Sequence, residues 1–216
     1  MTLYDLKKIT SEFDDVHNII EKRKLIRNQD SKLRRRLKTK LQSYSFLMDL
    51  VGINAFGPTI VKALKKTFKA IGFKKVEIVN EKYGEEDLRL WVDDKLIIIE
   101  ATGTEKKDNS ESKAHQISKH IPLRQKQYPN LKVSGLFISN HDNKKHYTKR
   151  NRKSFDKRLI KIAESHNYTV MTTTDLLEAY ISIKKGTFSS SELVNCFCKK
   201  GEFKLIGTSQ KSGKQI

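Results

Sequence analysis

Cysteine is nearly absent. Of 216 residues only Cys196 and Cys198 carry a thiol, and two cysteines one residue apart cannot staple distant segments of a chain. A disulfide-built secreted scaffold is therefore excluded. A reducing, cytoplasmic setting with both thiols free is expected. No apolar run approaches the ~18 residues of a membrane helix, and the opening "MTLYDLKKIT" has no apolar signal-peptide core. Several enzyme classes are excluded as well, because the chain has no Walker A loop, no H-E-x-x-H and no nucleophile elbow. It contains no internal repeat. Acidic residues are in short supply: 25 against 44 lysines and arginines, a net charge of +19. That imbalance implies attraction to a polyanion, nucleic acid before membrane. Nucleic acid, DNA or RNA, is the expected partner.

The charge that is present is clustered. Residues 22–40, "KRKLIRNQDSKLRRRLKTK", hold ten basic residues and one acid. Residues 144–158, "KKHYTKRNRKSFDKR", form a second cluster. Such density repels itself unless a counter-anion is near. Arg34, Arg35 and Arg36 in the first cluster, and Lys144, Lys145, Arg150, Arg152 and Lys153 in the second, are the expected phosphate contacts.

Proline and glycine are missing from the first 45 residues, so residues 3–45 read as one long helix, with a break expected near Asn28. Leu6, Phe13 and Ile20 recur every seven residues, and Leu33, Leu37 and Leu41 every four. The stripe is amphipathic and needs a partner, either the rest of the chain or a second copy of itself. Residues 1–45 are thus expected to dimerise or dock, 46–207 to form an α/β domain, and 208–216 to be a flexible tail. Within the domain, 46–56 reads as an apolar connector. Residues 58–71 read as a helix begun by Pro58 and stopped by Gly72. Strands are expected at 74–80, 87–92, 95–101, 131–140 and 168–172, the fourth buried on both faces. Helices are expected at 112–127, 153–166, 175–185 and from a Ser189–Glu192 capping box to about 200. This order gives a small mixed sheet flanked by helices.

The stretch "DLRLWVDDKLIIIEATG" (87–103) carries the chemistry. A single acid at the end of an apolar strand is ordinarily a solvated exit. Here a hairpin of 12 intervening residues would return Glu100 to the sheet edge where Asp87 begins. Two adjacent carboxylates repel, and a cation removes the conflict. Mg²⁺ or Mn²⁺ suits such a site: it takes one or two carboxylates, keeps waters and accepts a phosphate oxygen. Glu85 or Glu86 could serve a second metal. The histidines are weaker candidates. His115 and His120, five apart, share a helix face poorly. His141 and His146 read as surface or phosphate-contacting, and Trp91 reads as sheet cover.

With these residues in view, the chain resembles the PD-(D/E)XK, or restriction-endonuclease-like, nucleases. Their motif is an acid followed, after a gap, by E-x-K on the next strand. Asp87 and "EAT" at 100–102 match the acids and the spacing. "GPTIVKALKKTFKAIGF" resembles the family's first helix, "KAHQISKHI" its glutamine-bearing helix through Gln116, and "TTTDLLEAY" its closing strand and helix. The similarity spans about residues 50–185. It implies a restriction-endonuclease-like α/β fold, a Mg²⁺- or Mn²⁺-dependent DNA endonuclease, and roles in restriction or anti-phage defence. It also implies metal ligation by Asp87, Glu100 and the carbonyl of Ala101. Two positions depart from the pattern: Thr102 replaces the motif lysine, and Val61 stands where the first helix often carries glutamate. Lys106, Lys107 or Lys113 could supply the missing cation, with Gln116 positioning water. Two further readings stay open: a catalytically inactive module that binds nucleic acid and partner proteins, and a protein scaffold.

Overall fold

The computed structural model describes residues 14–53, 55–79, 85–105, 111–151 and 154–205. The chain divides into two compact units, residues 1–45 and 46–216.

The first unit is helix α1 (Asp14–Ser43). It runs unbroken through Asn28, where a break was expected, and the Ser31 hydroxyl donates to the Asn28 carbonyl at 2.9 Å. Residues 3–13 of the expected helix lie outside the described residues. Pairs at helical spacing, Lys24–Glu21 at 2.7 Å and Arg34–Asp30 at 2.8 Å, brace its surface. Leu33, Leu37 and Leu41 are each more than 60% exposed, so the predicted stripe is present and uncovered.

The first residues of the second unit, from Phe46, lie in a short helix, α2 (Ser45–Val51), where an apolar connector was expected. Phe46, Leu50 and Val51 recur at helical spacing and are buried together. Helix α3 (Gly57–Ile71) follows, with Pro58 in its first turn and Ile60, Val61, Leu64, Phe68 and Ile71 on its buried face. Gly72 stops it at φ 120, a conformation open to glycine. Its N–H donates to the carbonyls of Phe68 and Lys69.

A six-stranded sheet forms the centre: β1 (Lys75–Ile78), β2 (Leu88–Val92), β3 (Lys95–Gly103), β4 (Lys132–Asn140), β5 (Tyr168–Thr172) and β6 (Gly201–Glu202), in that spatial order. The first two pairings are antiparallel and the last three parallel, so the sheet is mixed, as expected. Strand β6 was not expected; two residues carry no strand signal of their own. Asp93 and Asp94 make the two-residue turn between β2 and β3, and Asp93 takes φ 49, as such hairpins require.

Parallel pairing needs crossovers. These are α4 (Glu111–Gln127), α5 (Lys157–Ser165), and α6 (Thr173–Lys184) with α7 (Ser190–Phe197). Helix α5 starts four residues later than expected because Asp156 caps it, accepting the Leu159 N–H at 2.7 Å. Helix α6 starts earlier because Thr172 and Asp175 form a capping box. The Ser189–Glu192 box opens α7 as predicted.

Helices α4 and α5 cover one face of the sheet; α2, α3, α6 and α7 cover the other. Strand β3 shows the alternation. Leu96 and Ile98 belong to the α4–α5 core, while Ile97, Ile99 and Ala101 belong to the opposite one. All three isoleucines are fully buried, each worth about 1.5–3 kcal/mol of transfer free energy. Strand β4 is buried on both faces after Lys132. Gly135 in β4 is needed for close approach: a Cβ there would lie 2.9 Å from Cδ1 of both Ile117 and Ile121 on α4.

Both cysteines are free thiols, Cys196 buried and Cys198 half-buried. Among the described residues, no helix is long and apolar enough to cross a membrane.

Candidate functional site

The next residue on β3's α4-facing side, after Leu96 and Ile98, is Glu100. The apolar series therefore ends in a carboxylate that stays inside the fold, 2% exposed. Asp87 reaches it from β2. Continuing the β2–β3 register by one pair beyond Leu88↔Ile99 sets Asp87 opposite Glu100. The Asp87 N–H donates to the Ile99 carbonyl at 3.0 Å. Its carboxylate Oδ2 accepts the Ala101 N–H at 2.7 Å. The ladder is thus continued by a side chain where β2 begins. A strand residue sends its N–H and C=O to the same side, so the Ala101 carbonyl also faces Asp87. Thr102, half-buried, is the next residue on the Glu100 side.

Helix α4 forms the wall over this face. Ile117 and Ile121 seat it on the sheet, and Gln116, His120 and Arg124 recur every four residues along an adjoining stripe. His120 brings Nδ1 to 3.5 Å from Glu100 Oε1 and 3.8 Å from Glu86 Oε2. Arg124 grips Glu86 from Nε at 2.8 Å and Nη2 at 2.9 Å, and also meets Glu85 at 3.2 Å. Arg89 adds a second guanidinium, its Nε 2.6 Å from Glu86 Oε1.

Burial pushes the Glu86 carboxyl up, but the hydrogen bonds from Arg124 and then Arg89 outweigh it and hold the group below its ordinary range. The bond to Glu86 likewise raises Arg124. Glu86, expected as a ligand for a second metal, is instead neutralised by two arginines.

The remaining donor set is small. Among the described residues there is no group of three or more His, Cys, Asp and Glu that could hold a metal ion. Two carboxylates and a main-chain carbonyl do suit Mg²⁺, which keeps several waters.

The other predicted positions separate. Gln116 is exposed, and Lys113 lies one turn before it, with its side chain outside what is described. Lys106 and Lys107 also lie outside the described residues. Arg35 and Arg36 are exposed on α1, and Arg34 pairs with Asp30. Lys144 is exposed and pairs with Glu105 at 2.6 Å; Lys145 pairs with Asp142 at 2.7 Å. Arg152 and Lys153 lie outside the described residues.

Two expectations are corrected. Arg150 is buried, and its guanidinium serves the interior: Nη2 donates to the Val51 carbonyl at 2.6 Å, Nε to the Lys145 carbonyl at 3.1 Å, and Nη1 to Asn140 Oδ1. It is not placed to meet phosphate. His141 is also buried, its Nε2 donating to the Asn151 carbonyl at 2.7 Å. Burial lowers its pKa, against the pull of that carbonyl and with help from Arg150.

Sequence reasoning missed Arg124 and the approach of His120 to the acids. The signal available was the spacing of Gln116, His120 and Arg124 beside Ile117 and Ile121.

No family model matches the chain, and no curated protein matches it in sequence. Solved structures do. The restriction endonuclease FokI aligns over 74% of this chain with 15% identity and a TM-score of 0.52. The small subunit of the heterodimeric restriction endonuclease R.BspD6I aligns over 70% of this chain and 84% of its own length, with 16% identity and a TM-score of 0.49. The chain spans 30% of the length of FokI. The fold is restriction-endonuclease-like.

Proposed function

We propose that the chain is a divalent-metal-dependent DNA endonuclease with Asp87 and Glu100 at its centre. The observation that carries this reading is the 2.7 Å bond from the Ala101 N–H to Asp87. It fixes one carboxylate beside the strand end that bears the other and turns the Ala101 carbonyl to the same side. Asp87, Glu100 and that carbonyl would hold Mg²⁺ or Mn²⁺. When bound, the ion supplies positive charge to the phosphate and lowers the pKa of a water.

The protein's own groups do the rest. The Asp87–Ala101 bond keeps the carboxylate from swinging away. Glu100, enclosed by α4 and the sheet, presents its charge in a setting where water screens it little. Lys113 and Gln116, on the first turns of α4, are the candidates to replace the missing lysine and orient the attacking water. The exposed arginines of α1 and Lys144 and Lys145 would track the phosphate backbone. The setting implied by the family resemblance is restriction or anti-phage defence. Helix α1, with its uncovered leucines, would pair two copies or dock a partner protein.

Thr102 favours a second reading. A threonine supplies no cation and binds metal weakly, so the fold could serve as an inactive module that grips nucleic acid. One assay separates the two: plasmid and single-stranded DNA are incubated with the protein and Mn²⁺, beside an Asp87→Ala/Glu100→Ala double variant. Metal-dependent nicking that the double variant loses supports the nuclease. DNA retention without nicking supports the module.

A further inference from the structure

We infer that His120 is a positioning residue for Glu100: its Nδ1–H holds the carboxylate in the orientation that binds the divalent ion. The inference rests on the nuclease reading and names a residue outside the acid–acid–lysine motif.

Three observations converge. His120 Nδ1 is buried and has no hydrogen-bond partner among the described residues. Buried polar atoms in folded proteins almost always find one, so an orphan calls for a cause. The nearer of the two carboxylates beside it is Glu100, with Oε1 at 3.5 Å, just beyond a normal bond. The competing acceptor, Glu86, is 3.8 Å away and already taken by Arg89 and Arg124. His120 therefore has one carboxylate to serve.

The helix is set to deliver it. Arg124, one turn further along α4, is anchored to Glu86, and Ile117 and Ile121 are packed on the sheet. The ring hangs between two fixed points, and its side chain is only 13% exposed. A small rotation of Glu100 closes the bond, and contacts of this kind often tighten only when a site is loaded. Groups behind a ligating carboxylate set its orientation, and their removal commonly costs about 10–100-fold in metal affinity.

The test is Mn²⁺ binding by the full chain without DNA, read by electron paramagnetic resonance of free Mn²⁺. Asn and Gln separate the two ring nitrogens. Asn places an N–H near the Nδ1 position, and Gln places one near Nε2. His120→Asn is expected to bind Mn²⁺ within about threefold of the parent, and His120→Gln and His120→Ala to bind about tenfold or more weakly. Thermal unfolding of each variant identifies any that do not fold, and the Asn–Gln pair carries the comparison if Ala fails. Equal affinity in all variants overturns the inference, as does equal weakening in Asn and Gln. The Asp87→Ala/Glu100→Ala variant tests the parent reading separately. If it binds Mn²⁺ as well as the natural chain does, the acids are not the ligands, and the role given to His120 falls with them.

Discussion

Arg124 and Glu86 meet side-on, Nε and Nη2 each donating to the carboxylate across 38 residues of sequence. The Glu86 side chain is fully enclosed. Removing one partner of such a pair strands the other. Arg124→Met is expected to cost about 2–4 kcal/mol in urea unfolding at pH 7, with Arg89 limiting the loss. The double variant Arg124→Met/Glu86→Gln should cost less than the sum of the singles.

Acid should destabilise the domain in two steps. His141 has a folded pKa below its ordinary 6.5, so its contribution is full above that value and is lost as pH falls through the folded pKa. Glu86 is depressed below 4.5, so its share persists above that value and disappears further into acid. Urea unfolding between pH 8 and 3 should show both losses. His141→Gln should remove the upper one, and Glu86→Gln the lower.

Asp87 has a structural task beside its proposed chemical one. Asp87→Ala leaves the Ala101 N–H without its acceptor and should cost about 1–3 kcal/mol. Asp87→Asn keeps an oxygen there and should unfold within about 1 kcal/mol of the parent. Any loss of nicking in Asp87→Asn then reports chemistry rather than folding.

Arg150 holds the end of β4 to the link between α2 and α3. Asn140, which it meets, also donates from Nδ2 to the carbonyls of Gly52 and Ala55 at 3.1 and 3.0 Å. Arg150→Ala should destabilise the fold by about 2–4 kcal/mol, because buried carbonyls lose their donor. Below its melting temperature the variant should retain DNA as the parent does. Weakened retention by a fully folded variant would return Arg150 to the phosphate contacts.

Salt should act in opposite directions on the two proposed roles of α1. DNA retention falls as salt displaces phosphate contacts. Pairing of two copies through Leu33, Leu37 and Leu41 brings like charges together, so screening should strengthen it. Sedimentation at 50 and 500 mM NaCl would show the dimer fraction rising if the leucines pair. A fraction that falls or does not change counts against self-pairing.

What local patterns dictate was legible in the sequence. The Gly72 stop, the Ser189–Glu192 box, the twice-buried β4 and the hairpin that returns Glu100 towards Asp87 all rest on spacing within a few residues. What depends on how elements pack was not legible. Arg150 sits in a run of positive charge and reads as surface, yet Asn140, Val51 and Lys145 draw it inside. His120 was weighed against His115 along the helix, although its neighbours are Glu86 and Glu100 across the sheet. Strand β6 exists because β5 offers it an edge, not because Gly201 and Glu202 favour extension.

Gly135 belongs to neither the acid pair nor a basic cluster, yet it sets how closely α4 and β5 pack around β4. A methyl group at that position would press on Tyr168 Cβ at 2.7 Å and on the tips of both isoleucines at 2.9 Å, so β5 or the side chains beneath the helix that carries His120, Gln116 and Arg124 must give way. The packing of α4 and β5 beside the strand that bears Glu100 is thus set by a missing side chain. Gly135→Ala would disturb that packing without changing a single ionisable group.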